Sequence, residues 1–126
     1  MKYVILIHAN PAPWGHPTSR FTAAGRELAE EEHAAADKEF DALLTEISES
    51  GELVSALALG DPAESKIYRW SARTDLADLI TDGPYAEAKE QLAGFFVIDC
   101  ASRQRADAIA ARFAGPGNVV ELRPGA

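Results

Sequence analysis

The sequence predicts a small α+β domain, an antiparallel sheet carrying two helices on one face. Three observations predict it. Short β-branched runs recur that are apolar at every position. Two longer segments carry apolar residues at helical spacing, and each lies between strand runs. The chain has 126 residues, enough for one domain with an ordinary hydrophobic core.

The first strand is Tyr3-Val4-Ile5-Leu6-Ile7, continuous and apolar. Asn10-Pro11-Ala12-Pro13-Trp14-Gly15-His16-Pro17 comes next, where three prolines and a glycine dictate a loop. A single long helix is expected over residues 23–50. Phe40, Leu43, Leu44 and Ile47 form its apolar stripe, continued backwards by Ala36, His33 and Ala29. Glu27, Glu30, Glu31 and Glu32 suit the positive end of its dipole, and Gly51 ends it. A second strand is expected over 53–59. Gly60-Asp61-Pro62 turns the chain, a third strand covers 66–73, and Leu79-Ile80-Thr81 forms a short fourth. After a loop over 82–92, Phe95-Phe96-Val97-Ile98 is a fully apolar strand. A second helix is expected over 104–113, with Ala106, Ile109, Ala110 and Phe113 on its stripe. Gly115-Pro116-Gly117 ends it, and Val119-Val120-Glu121-Leu122 is the last strand.

This order matches the split β-α-β pattern of ferredoxin-like folds. It carries a consequence. Helices cover one face, yet Phe95 and Val97 point to one side and Phe96 and Ile98 to the other. The uncovered face is an apolar patch larger than a monomer normally exposes, so a homodimer is expected to bury it. The alternative is that the long loop and short strand fold back over it.

Charge narrows the function classes. Twenty acidic residues against twelve basic ones leave a net charge of −8, which disfavours nucleic acid and anionic membrane surfaces as partners. A lone cysteine, Cys100, and the lack of any apolar run long enough for an export signal or membrane span point to the cytoplasm. Phosphate-cradling loops, nucleophile elbows and dinucleotide fingerprints are not found, and no cofactor is implied. Glu30, His33 and Asp37 share a helix face, but two helices offer too few further ligands for a metal site. Cys100 reads as buried packing and not as a nucleophile.

The most distinctive segment is Thr81-Asp82-Gly83-Pro84-Tyr85-Ala86-Glu87-Ala88-Lys89-Glu90-Gln91-Leu92. Asp-Gly-Pro is turn chemistry. The residues after it form either a solvated hairpin or a rigid presentation of Tyr85, Glu87 and Lys89 to a polar pocket. The stretch from Asp82 to Asp99 closely resembles the signature of the YCII-related family in its DGPF-domain branch, with Tyr85 for Phe, Ala88 for Thr and Ala93 for the first of two glycines. Lys2-Tyr3, Leu59, Pro62, Arg69 and Glu121-Leu122-Arg123-Pro124 extend the resemblance, while residues 11–37 are idiosyncratic. The resemblance implies a dimeric α+β barrel, in which two sheets pack face to face. It implies no established reaction, and it implies an accessory role beside extracytoplasmic-function sigma factors for some members. A histidine–aspartate pair has been suggested for shorter relatives. Counting back from Gly51 puts Phe40 at the histidine position, and Asn10 stands for the acid.

Two functions remain in view. In the first, a small polar molecule binds between the sheet and the 82–92 loop, with acid–base chemistry on His8 and Asp82. Tyr85, Glu87 and Lys89 would orient it, and Arg69 or Arg123 would pair with its carboxylate. In the second, the domain is a non-catalytic regulatory or interaction module. His16, in the loop, and His33, on the apolar stripe, are the other histidines, the latter read as packed.

Overall fold

The computed structural model describes residues 1–70, 80–82 and 90–126; for 80–82 only the backbone is considered. Four strands form an antiparallel sheet: β1 (Lys2–Ala9), β2 (Leu53–Ala58), β5 (Gln91–Asp99) and β6 (Asn118–Pro124), in the order β2-β5-β1-β6. Two short strands, β3 (Lys66–Tyr68) and β4 (Ile80–Asp82), pair separately. The helices are α1 (Ala23–Arg26), α2 (Glu30–Glu49) and α3 (Arg103–Phe113). α2 links β1 to β2, and α3 links β5 to β6. Each pair of linked strands has another strand between its members, which is the split β-α-β arrangement.

Strand pleating sorts the residues. Tyr3 and Ile5 of β1 and Ile98 of β5 face the helices and are buried, with Ile7, Phe96, Val120 and Leu122 packed beside them. Leu43 and Ile47 of α2 and Ala106, Ile109, Ala110 and Phe113 of α3 complete this core. Both long helices therefore lie on one face. Cross-strand partners assign Val4, Leu6, Leu57, Phe95 and Val97 to the other face, away from the helices. Cys100 is buried in the core, its thiol on the Ser102 carbonyl.

The structure revises several element boundaries. The helix expected over 23–50 breaks at residues 27–29, with Ala29 extended (φ −71°, ψ 156°). The reason is local. Thr22 caps α1, its hydroxyl accepting from Gly25 N at 3.1 Å and donating to Ser19 O at 3.0 Å. In a continuous helix Gly25 O would accept the Ala29 N–H. Here it accepts from Leu28 N and from His33 Nε2, at 3.1 and 2.8 Å. The buried His33 side chain replaces the backbone donor and ties α2 to the turn before it. A Cβ on Gly25 would lie 1.5 Å from Ser19 O, so only glycine fits.

Among the strands, β5 begins at Gln91, earlier than its apolar run suggests, because Gln91 and Leu92 pair with Ala9 and His8 of β1. β3 ends at Tyr68; residues 71–73 of the expected strand lie outside the described residues. Phe40, expected inside the stripe, is 39% exposed.

An ionic network joins the far ends of the helices. Arg105 donates to Glu52 at 2.9 Å twice and to Glu46 at 2.9 Å, and Arg112 donates to both Glu46 oxygens at 3.0 Å. Hydrogen bonds from Arg105 and Ser50 hold the Glu52 carboxyl down at about 2.

This packing sets two expected outcomes. Gly25→Ala lowers stability by about 1–3 kcal/mol in urea unfolding through forced overpacking, whereas Gly60→Ala, with open space around it, leaves the midpoint unchanged. Because the folded-state pKa of Glu52 is depressed, its contribution is full above about 4.5 and disappears as pH falls toward 2. Arg105→Ala therefore destabilises the protein by on the order of 1–3 kcal/mol at pH 7. It also flattens the decline of the urea midpoint between pH 5 and pH 3; an equally steep decline in the variant contradicts the assignment.

Candidate functional site

The helix face of the sheet is not filled evenly. Toward the β2 edge, at the end that carries Ile7, the residues facing the helices shrink to Ala56, Ala58 and Gly94, with Ala93 beside them. Branched side chains fill the core at the other end. Small ones leave a gap that the helices cannot close, because the larger neighbours elsewhere set the helix-to-sheet distance. The gap is a cleft of about 730 Å³. A Cβ on Gly94 would approach Leu57 O to 3.0 Å, so glycine also permits the close approach of β2 and β5 on its floor.

Among the described residues, four elements form its walls. α2 contributes Asp37, Phe40 and Leu44, the end of α3 contributes Arg112 and Phe113, β5 contributes Phe96, and the loop before α1 contributes His16, Thr18 and Ser19. Three aromatic rings converge there. Phe40 stands edge-on to Phe96 and Phe113, with centroids 6.2 and 5.9 Å away, and Phe96 and Phe113 lie 4.4 Å apart. This arrangement explains the exposure of Phe40: its ring covers the side of the cleft and not the bottom of the core.

The proline-rich loop is held in place by specific bonds. Trp14 Nε1 and His16 Nε2 both donate to Leu59 O, at 3.0 and 2.9 Å, with the two rings edge to face. A carbonyl only accepts, so His16 Nε2 carries a proton in this contact. Arg20, in the 3₁₀ turn Thr18–Phe21, donates to both Glu30 oxygens at 3.1 and 3.0 Å and to Asp37 Oδ2. Glu30 and Asp37 thus serve a guanidinium, and His33 of the same face serves the Gly25 carbonyl.

Of the residues expected to form the site, His8, Arg69 and Arg123 do not line the cleft. His8 and Arg123 lie on the sheet face opposite the helices and share one carboxylate: His8 Nε2 is 3.4 Å from Glu121 Oε1, and the Arg123 guanidinium binds Glu121 Oε2. Arg123, with His8, holds the Glu121 carboxyl below its ordinary range. Arg69 is exposed just beyond β3, and Asp82 closes β4 opposite Lys66. Tyr85, Glu87 and Lys89 lie outside the described residues, as does most of the 82–92 segment. Phe40 and Asn10, the positions of the suggested dyad, do not share a cavity. Phe40 lines the cleft, while Asn10 Oδ1 accepts from Gln91 N at 3.1 Å beside a separate groove. The cleft itself escaped sequence reading. Its signal was the run of Ala and Gly in strands that are otherwise β-branched or aromatic.

No helix of the described residues is long and apolar enough to cross a membrane. An uncharacterised protein of Rhizobium meliloti (strain 1021) is 36% identical over 76 residues, spanning 60% of this chain and 59% of the relative. The model of the YCII-related domain matches residues 1–121, the strand, helix and strand elements above together with the segment 82–99 that resembles its signature. The chain therefore belongs to the YCII-related family.

Proposed function

We propose that this protein is a binding domain for a small aromatic molecule, seated in the cleft between α2, the end of α3 and the alanine–glycine end of the sheet. One observation carries the reading: three phenylalanines from three different elements converge on an open cavity. A core phenylalanine ordinarily has its ring covered, whereas Phe40 leaves 39% of its surface to solvent at the cleft wall. The volume suits a one- or two-ring ligand, and apolar walls with a polar rim are the usual construction of such sites. The lining shifts the ligand class from the polar molecule expected from the sequence to an aromatic one.

The partner in this proposal is a second copy of the chain. Val4, Leu6, Leu57, Phe95 and Val97 form an apolar surface on the sheet face without helices, with Val119 and Leu92 at its margin. Two-fold pairing of that face buries it and leaves both clefts open, because the clefts lie on the other side of each sheet.

A second reading keeps acid–base chemistry at His8. It is favoured by the His8–Glu121 contact, in which a carboxylate oxygen 3.4 Å from Nε2 orients the imidazole. The two readings separate cleanly, since His8 and the cleft are on opposite faces.

Titration of isotope-labelled protein with 2-phenylethanol tests the cleft. Saturable shifts are expected at the amides of Phe40, Gly94 and Phe113. Phe40→Ala weakens binding about five- to tenfold, and His8→Ala leaves it unchanged; shifts scattered over the surface contradict the site. In sedimentation the protein is expected at twice the 13.5 kDa chain mass. Leu6→Asp, which places a charge at the centre of the outer face, reduces it to one chain. A wild-type protein that sediments as one chain at high concentration disproves the pairing.

A further inference from the structure

The cleft lies beside an unguarded sheet edge. β2 and β6 are the outer strands of the four-stranded sheet. β6 carries Glu121, Arg123 and Pro124, residue types that discourage pairing with a further strand. β2 reads Leu-Val-Ser-Ala-Leu-Ala, with no charge and no proline, and its residues from Val54 to Ala58 are exposed. Leu59 N donates to Ala93 O at 2.8 Å, which turns the backbone groups of Leu59 toward β5. These groups alternate sides along a strand, so those of Ala56 and Ala58 point away from β5. No strand among the described residues pairs with them there.

The same two residues belong to the cleft. Ala56 and Ala58 stand opposite Phe96 and Gly94, so their side chains are on the helix face, and both line the cavity. They are exposed although they face the helices, so the cleft is open along this strand. Directly opposed residues of neighbouring strands share a face. A residue of an added strand that pairs with Ala56 or Ala58 therefore turns its side chain to the cleft side, where two methyl groups leave it room.

We infer, on the reading that the cleft is a ligand site, that its aromatic group is delivered by an extended peptide. The peptide adds to the outer edge of β2 and seats one aromatic side chain against Phe40, Phe96 and Phe113. A free ring satisfies the cleft and leaves the β2 backbone unpaired; a peptide satisfies both. Main-chain hydrogen bonds then supply affinity, and the cleft supplies the choice of residue. A second copy pairing through its own β2 brings no aromatic residue and leaves the cleft empty.

Three peptides test the inference on the full chain at pH 7: acetyl-Lys-Val-Thr-Phe-Thr-Val-Lys-amide, the same peptide with Ala for Phe, and the same peptide with the Phe nitrogen methylated. Calorimetry gives the affinities, amide shifts mark the site, and 2-phenylethanol is the free-ring reference. All three carry two lysines, so general attraction to a chain of net charge −8 is common to them. The parent peptide is expected to bind at least about tenfold more tightly than the alcohol. It shifts the amides of Ala56 and Ala58 together with those of Phe40 and Gly94. Ala for Phe weakens it about tenfold by removing the ring. Methylation, which keeps the ring and removes one main-chain donor, also weakens it about tenfold. A methylated peptide that binds as tightly as its parent overturns the inference, and so does a parent that leaves Ala56 and Ala58 unshifted. A species larger than two chains in sedimentation, lost in Ser55→Lys, assigns the edge to a second copy and overturns it too. If 2-phenylethanol still shifts Phe40 in those cases, the aromatic cleft stands and only the peptide partner falls. If neither the alcohol nor the parent peptide shifts Phe40 or Gly94, both proposals fall.

Discussion

Two helices on one face of a four-stranded sheet set every other feature of this molecule. Their apolar stripes, Leu43 and Ile47 on α2 and Ala106, Ile109 and Phe113 on α3, meet Tyr3, Ile5 and Ile98 and form a single core. The core is close-packed because those strand residues are large. Where the strands change to Ala56, Ala58 and Gly94, the same helices stand too far away to touch the sheet, and a cleft opens. On the reverse side the same strands present Val4, Leu6, Phe95 and Val97, half-buried, with no helix of the described residues over them. Among the described residues, the cleft and the helix-free face share one cause: fewer helices than apolar sheet surface.

The walls of the cleft depend on polar contacts that reach across the chain. Residues 10–22 contain no regular element longer than one short turn, yet they are fastened at several points. Trp14 and His16 hold the end of β2 through Leu59, Arg20 holds α2 through Glu30 and Asp37, and Ala12 N bonds to Phe21 O. Individually, exposed ion pairs contribute little. Together these bonds position a segment that has no hydrophobic face of its own.

Much of the fold was legible because it rests on periodicity. The strand at 3–7, the stripe of α2 and the helix near 104–113 repeat the spacing of their own backbone geometry, and pairing needs only that pattern. The break at 27–29 was illegible for a different reason. Helix propensity is a sum over neighbours, whereas the break is made by the His33 side chain reaching back to the Gly25 carbonyl. β5 begins earlier than its composition suggests because β1 supplies the hydrogen bonds that Gln91 and Leu92 do not demand by propensity. Phe40 illustrates the limit for the site. Its spacing places it on the apolar stripe, and only the small residues opposite turn it from a core residue into a cleft wall.

Local patterns of side-chain type were enough to specify the α+β class, the order of the elements and the apolar character of both sheet faces. The family resemblance in 82–99 was equally local, since it is a contiguous motif. Long-range packing settled the rest: where the cleft lies, which rings line it, and that His8 and Arg123 meet at Glu121 on the opposite face. A cavity is an absence of atoms between segments distant in the chain. Its position depends on the distances that larger residues elsewhere impose, and no local pattern encodes those distances.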